Sequence, residues 1–224
     1  MTDIVTIDGP SGSGKGTVSR ILADKLSYSY LDSGALYRVL SIAAARGNVD
    51  LTDANALADV AQQMDIEFRL SADAHFKVLL GVDDVTAELR LEDTGAVASK
   101  IAAYAEVRRA LLLRQRAFAT GAGLVADGRD MGTAVFPDAG LKIFLTASVE
   151  ERTNRRYKEL LEKGEDVSLR ALAEQVRARD ERDMNRAESP LIAADDAIEL
   201  DSSHMSIAEV VDAIVAIIEF KRTT

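Results

Sequence analysis

The nine residues Gly9-Pro10-Ser11-Gly12-Ser13-Gly14-Lys15-Gly16-Thr17 constrain this chain more than any other stretch. They follow a short apolar run, Ile4-Val5-Thr6-Ile7, which ends in Asp8 and reads as a buried strand. They precede a helical pattern with Val18, Ile21, Leu22 and Leu26 on one face. Strand, glycine-rich loop and helix in that order make a cradle for phosphate. Glycines let backbone amides turn inward on an anion, and the helix N-terminus adds partial positive charge. Lys15 supplies a mobile cation for the outer phosphates, and Thr17 a hydroxyl for phosphate or metal. A ligand-free turn would leave this set of residues, in this context, unexplained.

The rest of the chain alternates strand and helix patterns. Apolar runs at 28–31, 123–126, 142–145 and 197–200 join the first to make five strands. Helical patterns cover 35–45, 52–64 and 98–119. Another starts at Ser148 and ends near Gly164, one follows Ser168, and one follows Ser206. Ser148 with Glu151, and Ser206 with Glu209, have capping-box spacing. Such alternation predicts an α/β fold, a five-stranded parallel sheet with helices on both faces. Residues 65–93 break the pattern. Strand candidates at 66–70, 76–80 and 85–91 predict a small antiparallel sheet inserted between helices.

Composition narrows the function classes. The 224 residues suit one large domain or one and a half small ones. There is no cysteine, so disulfides, zinc-thiolate sites and cysteine nucleophiles are excluded. The two histidines, His75 and His204, are too far apart in sequence to suggest a metal cluster. A formal net charge of −10 argues against broad nucleic-acid binding, though not against a local arginine pocket for a small anion. The acidic side chains concentrate in 47–98, which reads as a solvated surface. No basic-then-apolar leader follows Met1-Thr2-Asp3, and the apolar run 213–218 is too short to span a bilayer. The expected compartment is the cytoplasm, without a membrane partner.

A second anion site is predicted from three clusters. Asp32-Ser33-Gly34-Ala35-Leu36-Tyr37-Arg38 puts Ser33 at a helix start and Arg38 about one and a half turns inside it. Gly128-Arg129-Asp130-Met131-Gly132 follows the strand ending in Asp127, where ligands of open parallel sheets bind; Asp127 itself is a candidate for an indirect metal contact. Arg179, Asp183 and Arg186, spaced i, i+4, i+7, share one face if helical, while Asp180, Glu181 and Arg182 read as a solvated ion-pair net. Arg152, Arg155 and Arg156 either close over phosphates or stay in solvent.

The strict phosphate-loop motif wants Ser or Thr directly after the lysine; here Gly16 intervenes, the Lys-Gly-Thr variant of nucleoside monophosphate kinases such as adenylate kinase. Together with residues 31–38, 126–133, Phe136-Pro137-Asp138-Ala139 and 179–186, the chain closely resembles the bacterial cytidylate kinases along essentially its whole length. The resemblance implies a P-loop NTPase fold, with a core of 1–33, 106–150 and 168–224. It implies an inserted monophosphate-binding domain at 34–105 with the small sheet, and a short lid at 151–167.

It further implies phosphoryl transfer from ATP to CMP or dCMP with Mg2+, by a monomer. ATP would lie on Gly9 to Thr17, with Thr17 and Asp127 as possible metal contacts. Ser99, Arg108 and Asp130 would read the cytosine edge. Ser33, Arg38, Arg129 and Arg186 would hold the acceptor phosphate. Arg179 and Asp183 would meet the sugar, and Asp201-Ser202-Ser203 would lie near adenine. Lys15, Arg129, Arg186 and Arg155 would stabilise the transferred group, with lid and insert closing to exclude water. The rivals are a kinase of another small acceptor, such as shikimate or gluconate, and a non-catalytic nucleotide switch. The first lacks the paired Ser-Gly-Ala-Leu-Tyr-Arg and Gly-Arg-Asp-Met-Gly motifs; the GTP-specific Asn-Lys-x-Asp of the second is absent here.

Overall fold

The structure, a computed structural model, describes residues 3–70, 76–162 and 164–223. Met1, Thr2, His75 and Lys163, which enter the expectations about a leader, a histidine site and the lid, lie outside the described residues. The chain divides into two units, Met1–Asp32 with Arg116–Thr224, and Ser33–Gln115.

The first unit carries the expected parallel sheet. Its strands are β1 (Asp3–Asp8), β2 (Ser29–Asp32), β6 (Gly123–Gly128), β7 (Leu141–Thr146) and β8 (Ile198–Asp201), in spatial order β2-β6-β1-β7-β8. Every pairing is parallel, and the carboxyl ends are level: Asp8 pairs with Gly128 and Phe144, and Asp32 with Asp127. The strands alternate as β geometry requires. Val5 and Ile7 join a core with α1 (Lys15–Leu26) and α8 (Ile207–Thr223) through Val18, Leu22, Val210, Val211, Ile214 and Ile218. Thr6 and Asp8 turn to the other face, where a single π-helical turn at Met131–Val135 covers them. Ser206 and Glu209 close the full capping box that opens α8, each accepting from the other's backbone amide.

The second unit holds α2 (Ser33–Arg46), α3 (Ala54–Gln63), an antiparallel sheet of β3 (Ile66–Leu70), β4 (Phe76–Leu80) and β5 (Asp83–Asp84), then α4 (Glu92–Ile101) and α5 (Ala105–Arg116). Two expectations need correction here. The strand at 85–91 does not form: the Asp84 carboxylate accepts from both the amide and the hydroxyl of Thr86, turning the chain out of the sheet, and a 3-10 turn follows at Glu88–Arg90. The single helix at 98–119 is two helices, interrupted at 102–104 where the Tyr104 phenol donates to the Leu51 carbonyl. The boundary expected at 105/106 falls at the start of α5, yet the division lies at its far end. Val107 and Leu111 are buried, Arg114 donates to the Gln62 carbonyl, and Ser33 donates to Gln115, all inside the second unit.

In the first unit, α6 (Val149–Glu162) and α7 (Leu169–Asn185) pack on each other through a buried ion pair. The Arg152 guanidinium meets Asp180 two-pronged, at 3.0 and 2.6 Å, with side-chain exposures of 4% and 10%. Arg152 also donates to the carbonyls of Ala147 and Ser11, tying both helices to the glycine loop. Arg152 therefore neither closes over a ligand nor stays in solvent, and Asp180 is not part of a solvated net. Asp180→Ala leaves this guanidinium buried without its carboxylate and lowers stability by about 3–5 kcal/mol in urea unfolding, most of it recovered when Arg152→Met is combined with Asp180→Leu.

Gly9, at φ +152°, leaves no room for a side chain, since a Cβ there would run into the Leu145 carbonyl oxygen. Gly9→Ala therefore lowers the thermal midpoint by roughly 5–15 °C, read by circular dichroism.

Candidate functional site

The glycine loop leaves β1 at the middle of the sheet, where strand order reverses, the place where α/β sheets bind ligands. Gly14, at φ +89°, is the residue before α1, and its carbonyl accepts from the amides of Thr17 and Val18, so the loop ends on an open helix N-terminus. Lys15 is buried and folds back to donate to the Pro10 carbonyl at 3.1 Å. Burial and the nearby Arg129 and Arg179 cations lower its pKa to about 7, against the pull of Asp127 and Asp32.

The departure at Gly16 falls in a crowded place. A Cβ there would lie 3.2 Å from Asp127 Oδ2 and 3.8 Å from the Tyr30 phenol oxygen. The carboxylate thus stands against the residue that carries a hydroxyl in the strict motif. Tyr30 donates to Asp127 Oδ2 at 3.0 Å. Burial, then the Asp32 carboxylate on the adjacent strand, raise the Asp127 pKa to about 6. The Tyr30 phenol is pushed far up by burial and by both carboxylates, which keeps it a donor.

The turn after β6 brings the arginines in. Arg129 donates to Asp183 Oδ2 at 2.9 Å and to the Gly128 carbonyl. Burial alone would raise the Asp183 pKa; Arg129, Arg179 and Arg186 outweigh it and hold the carboxylate below its usual range. Arg186 lies just past the end of α7, not on its face as the spacing predicted, and donates to the Ser189 carbonyl. Its Nη2 still comes within 3.9 Å of Asp130 Oδ1, both side chains buried. Asp8, one residue before the loop, accepts from the amides of Met131 and Gly132, and burial raises its pKa to about 7. Lys15, Asp127, Arg129, Asp130, Arg179, Asp183 and Arg186 therefore form one electrostatic cluster.

Arg155 lies against the loop. It donates to the carbonyls of Ser13 and Ser202, while Ser202 Oγ donates to Ser13 and Thr146. Asp201 accepts from Ser203. Arg156 pairs with Glu159 on its own helix. Within the second unit, the Ser33 hydroxyl donates to Gln115, and Arg38 donates to the Leu89 carbonyl at 2.6 Å and lies along Gly95. Ser99 follows one turn later on α4, and Arg108 stands 5.9 Å from the Tyr37 ring centre and donates to the Ala102 carbonyl.

Asp8 and Tyr30 are parts of this site that the sequence patterns did not pick out, and Arg152 and Asp180 were picked out singly but not as a buried pair. Asp8 left a trace as the charged residue closing an apolar strand directly before the loop.

A divalent cation is testable against these donors. Thr17 is exposed at the end of the loop, and Asp127 and Asp32 set two carboxylates side by side with raised proton affinity on Asp127. Among the described residues no group of three or more acidic or histidine side chains is gathered. That set fits Mg2+, which takes one or two carboxylates and completes its shell with water and substrate phosphates. Among the described residues no helix is long and apolar enough to cross a membrane.

Residues 5–220 match the family model for cytidylate kinase. The chain is 56% identical to the cytidylate kinase of Stutzerimonas stutzeri over 95% of its length and 93% of that protein's. It is 54% identical to the cytidylate kinase of Vibrio cholerae over 98% of its length and 97% of that protein's. Among solved structures, a shikimate kinase from Acinetobacter baumannii in complex with shikimate aligns with all of this chain and 97% of its own at TM-score 0.51. At 14% identity that likeness speaks for the fold alone. With its phosphate-type loop set beside an arginine and aspartate cluster, and with near-full-length identity above one half, the chain belongs to the cytidylate kinase family.

Proposed function

We propose that the chain transfers the γ-phosphoryl group of ATP to CMP or dCMP, giving ADP and CDP or dCDP. The observation that carries the reading is the convergence of Lys15 with Arg129, Asp130, Arg179, Asp183 and Arg186 at the carboxyl end of the sheet. A site with both a polyphosphate cradle and a cation cluster beside it suits transfer between two anions.

Gly9 to Thr17 bind the donor phosphates, through backbone amides at every position but Pro10, with Gly9, Pro10, Ser11, Gly12, Ser13, Gly14 and Gly16 shaping the cradle. Lys15 sits among cations that lower its proton affinity, so an arriving phosphate restores the proton at Nζ and draws it off the Pro10 carbonyl. Thr17 and Asp127 would hold Mg2+ indirectly, Asp127 kept in place by Tyr30. When bound, Mg2+ neutralises charge on the outer phosphates.

A phosphate oxygen of CMP attacks the γ-phosphorus, and the bond to the oxygen bridging the β- and γ-phosphorus breaks, leaving ADP. The attacking oxygen is already ionised, so no base is needed. Arg129 and Arg186 stabilise charge on the transferred group, and Arg129 is preorganised by Asp183. Arg155, now on the Ser13 and Ser202 carbonyls, is the candidate to swing inward as residues 151–167 act as a lid. Ser33, Arg38, Ser99 and Arg108 are assigned to the acceptor by the family resemblance, with Arg179 and Asp183 assigned to its sugar. Asp130 accepts from the cytosine N4 amine; uracil places an oxygen there, facing the carboxylate without a proton between them.

Acceptor-dependent ADP release with CMP, dCMP, UMP and AMP side by side tests the proposal. CMP and dCMP drive turnover well above the other two; ADP release indifferent to the acceptor overturns it. Lys15→Ala cuts kcat by about 10²–10³-fold with an unchanged far-ultraviolet spectrum. Asp130→Asn lowers the preference for CMP over UMP about ten-fold in kcat/KM and leaves the KM for ATP little changed.

A further inference from the structure

We infer that Asp8 is a positioning residue for base selection: it caps the turn after Asp130 and so leaves the Asp130 carboxylate to meet the acceptor base. The inference rests on the reading of Asp130 above.

Asp130 is the residue that precedes the π-helical turn Met131–Val135, and its carbonyl accepts from the amides of Ala134 and Val135. An aspartate in that position ordinarily folds its side chain back onto the first amides of the turn. Here Asp130 makes no such cap bond. The amides within its reach are those of Gly132 and Thr133; Asp8 already takes that of Gly132, and that of Met131 with its other carboxylate oxygen, each at 2.8 Å. A carboxylate from the neighbouring strand thus does the capping, and the Asp130 side chain stands within 3.9 Å of the Arg186 guanidinium instead.

The turn is clamped from two more sides. Met131 folds over Gly128, where a Cβ would meet its side chain at 2.8 Å. Gly132 lies on Thr6 and Lys142, where a Cβ would meet Thr6 Oγ1 at 2.9 Å and Lys142 Cδ at 3.1 Å. Asp130 sits between these fixed points, and Thr6 and Asp8 are on the same face of the same strand. Gly9 follows Asp8 directly, so a single residue fixes both the start of the phosphate loop and the base-reading turn. Asp8 is buried, and nothing in the mechanism above uses it.

Asp8→Asn keeps the size of the side chain but sets an amide group against one of the two N–H donors. The expected result is a fall of about five-fold or more in the CMP-over-UMP ratio of kcat/KM, with KM for CMP rising more than KM for ATP. In a double-mutant cycle, Asp8→Asn added to Asp130→Asn lowers the ratio no further, because both act through one carboxylate. A purely structural role would lower the melting temperature and leave the ratio as in the unaltered chain, which overturns the inference.

Should Asp8→Asn not fold, hydrogen exchange in the unaltered chain decides. Slow exchange at the Met131 and Gly132 amides supports the cap, and exchange as fast as in an open loop overturns it. An unaltered chain without preference for CMP over UMP, or an Asp130→Asn variant that keeps it, removes the reading of Asp130 and this inference together. Collapse of the preference in Asp130→Asn but not in folded Asp8→Asn removes this inference alone.

Discussion

The level register of the parallel strands is the constraint on which the core unit depends. Asp8 beside Gly128, and Asp127 beside Asp32, put the ends of three neighbouring strands at one height. The strand ends deliver three carboxylates, Asp8, Asp32 and Asp127, and the start of the glycine loop to one rim, and the turn after β6 adds Arg129 and Asp130 at once. A slip of one residue along β1 would send Asp8 into the apolar layer and Ile7 to the rim. The apolar layer of Val5, Ile7, Val125, Ile143 and Leu145 is thus also what aims the polar residues.

That rim is electrostatically costly and the surrounding structure offsets the cost. Lys15 stands among arginines with its proton affinity lowered, and Asp127 and Asp8 are buried with theirs raised. In each of the three, burial disfavours the charged form. Local partners compensate: Tyr30 on Asp127, two amides on Asp8, Asp183 on Arg129. Further out, the Arg152–Asp180 pair fixes the outer wall of the loop through the Ser11 carbonyl.

Much of this was legible in the residues. Val5 and Ile7 alternate, glycines mark the loop, and the Ser206–Glu209 spacing gave the start of α8. The motifs put Arg129 and Asp130 directly after a strand and Arg179 and Asp183 on a helix, where the structure has them, while Arg186 lies past the helix end that its spacing had put it on. What escaped was set by distant partners. No local signal separates buried Asp180 from exposed Glu181, since its partner Arg152 lies 28 positions away. The break between α4 and α5 carries no glycine or proline, and it rests on tertiary contacts such as that of Tyr104 with Leu51. The strand expected at 85–91 had apolar alternation, but the Asp84–Thr86 turn competes with the sheet for the same backbone amide.

A Cβ at position 16 would lie 3.2 Å from Asp127 Oδ2, so a larger residue there requires that carboxylate to give way by a few tenths of an ångström. A search pattern that insists on Ser or Thr immediately after the lysine would pass over this chain while the cradle itself is intact.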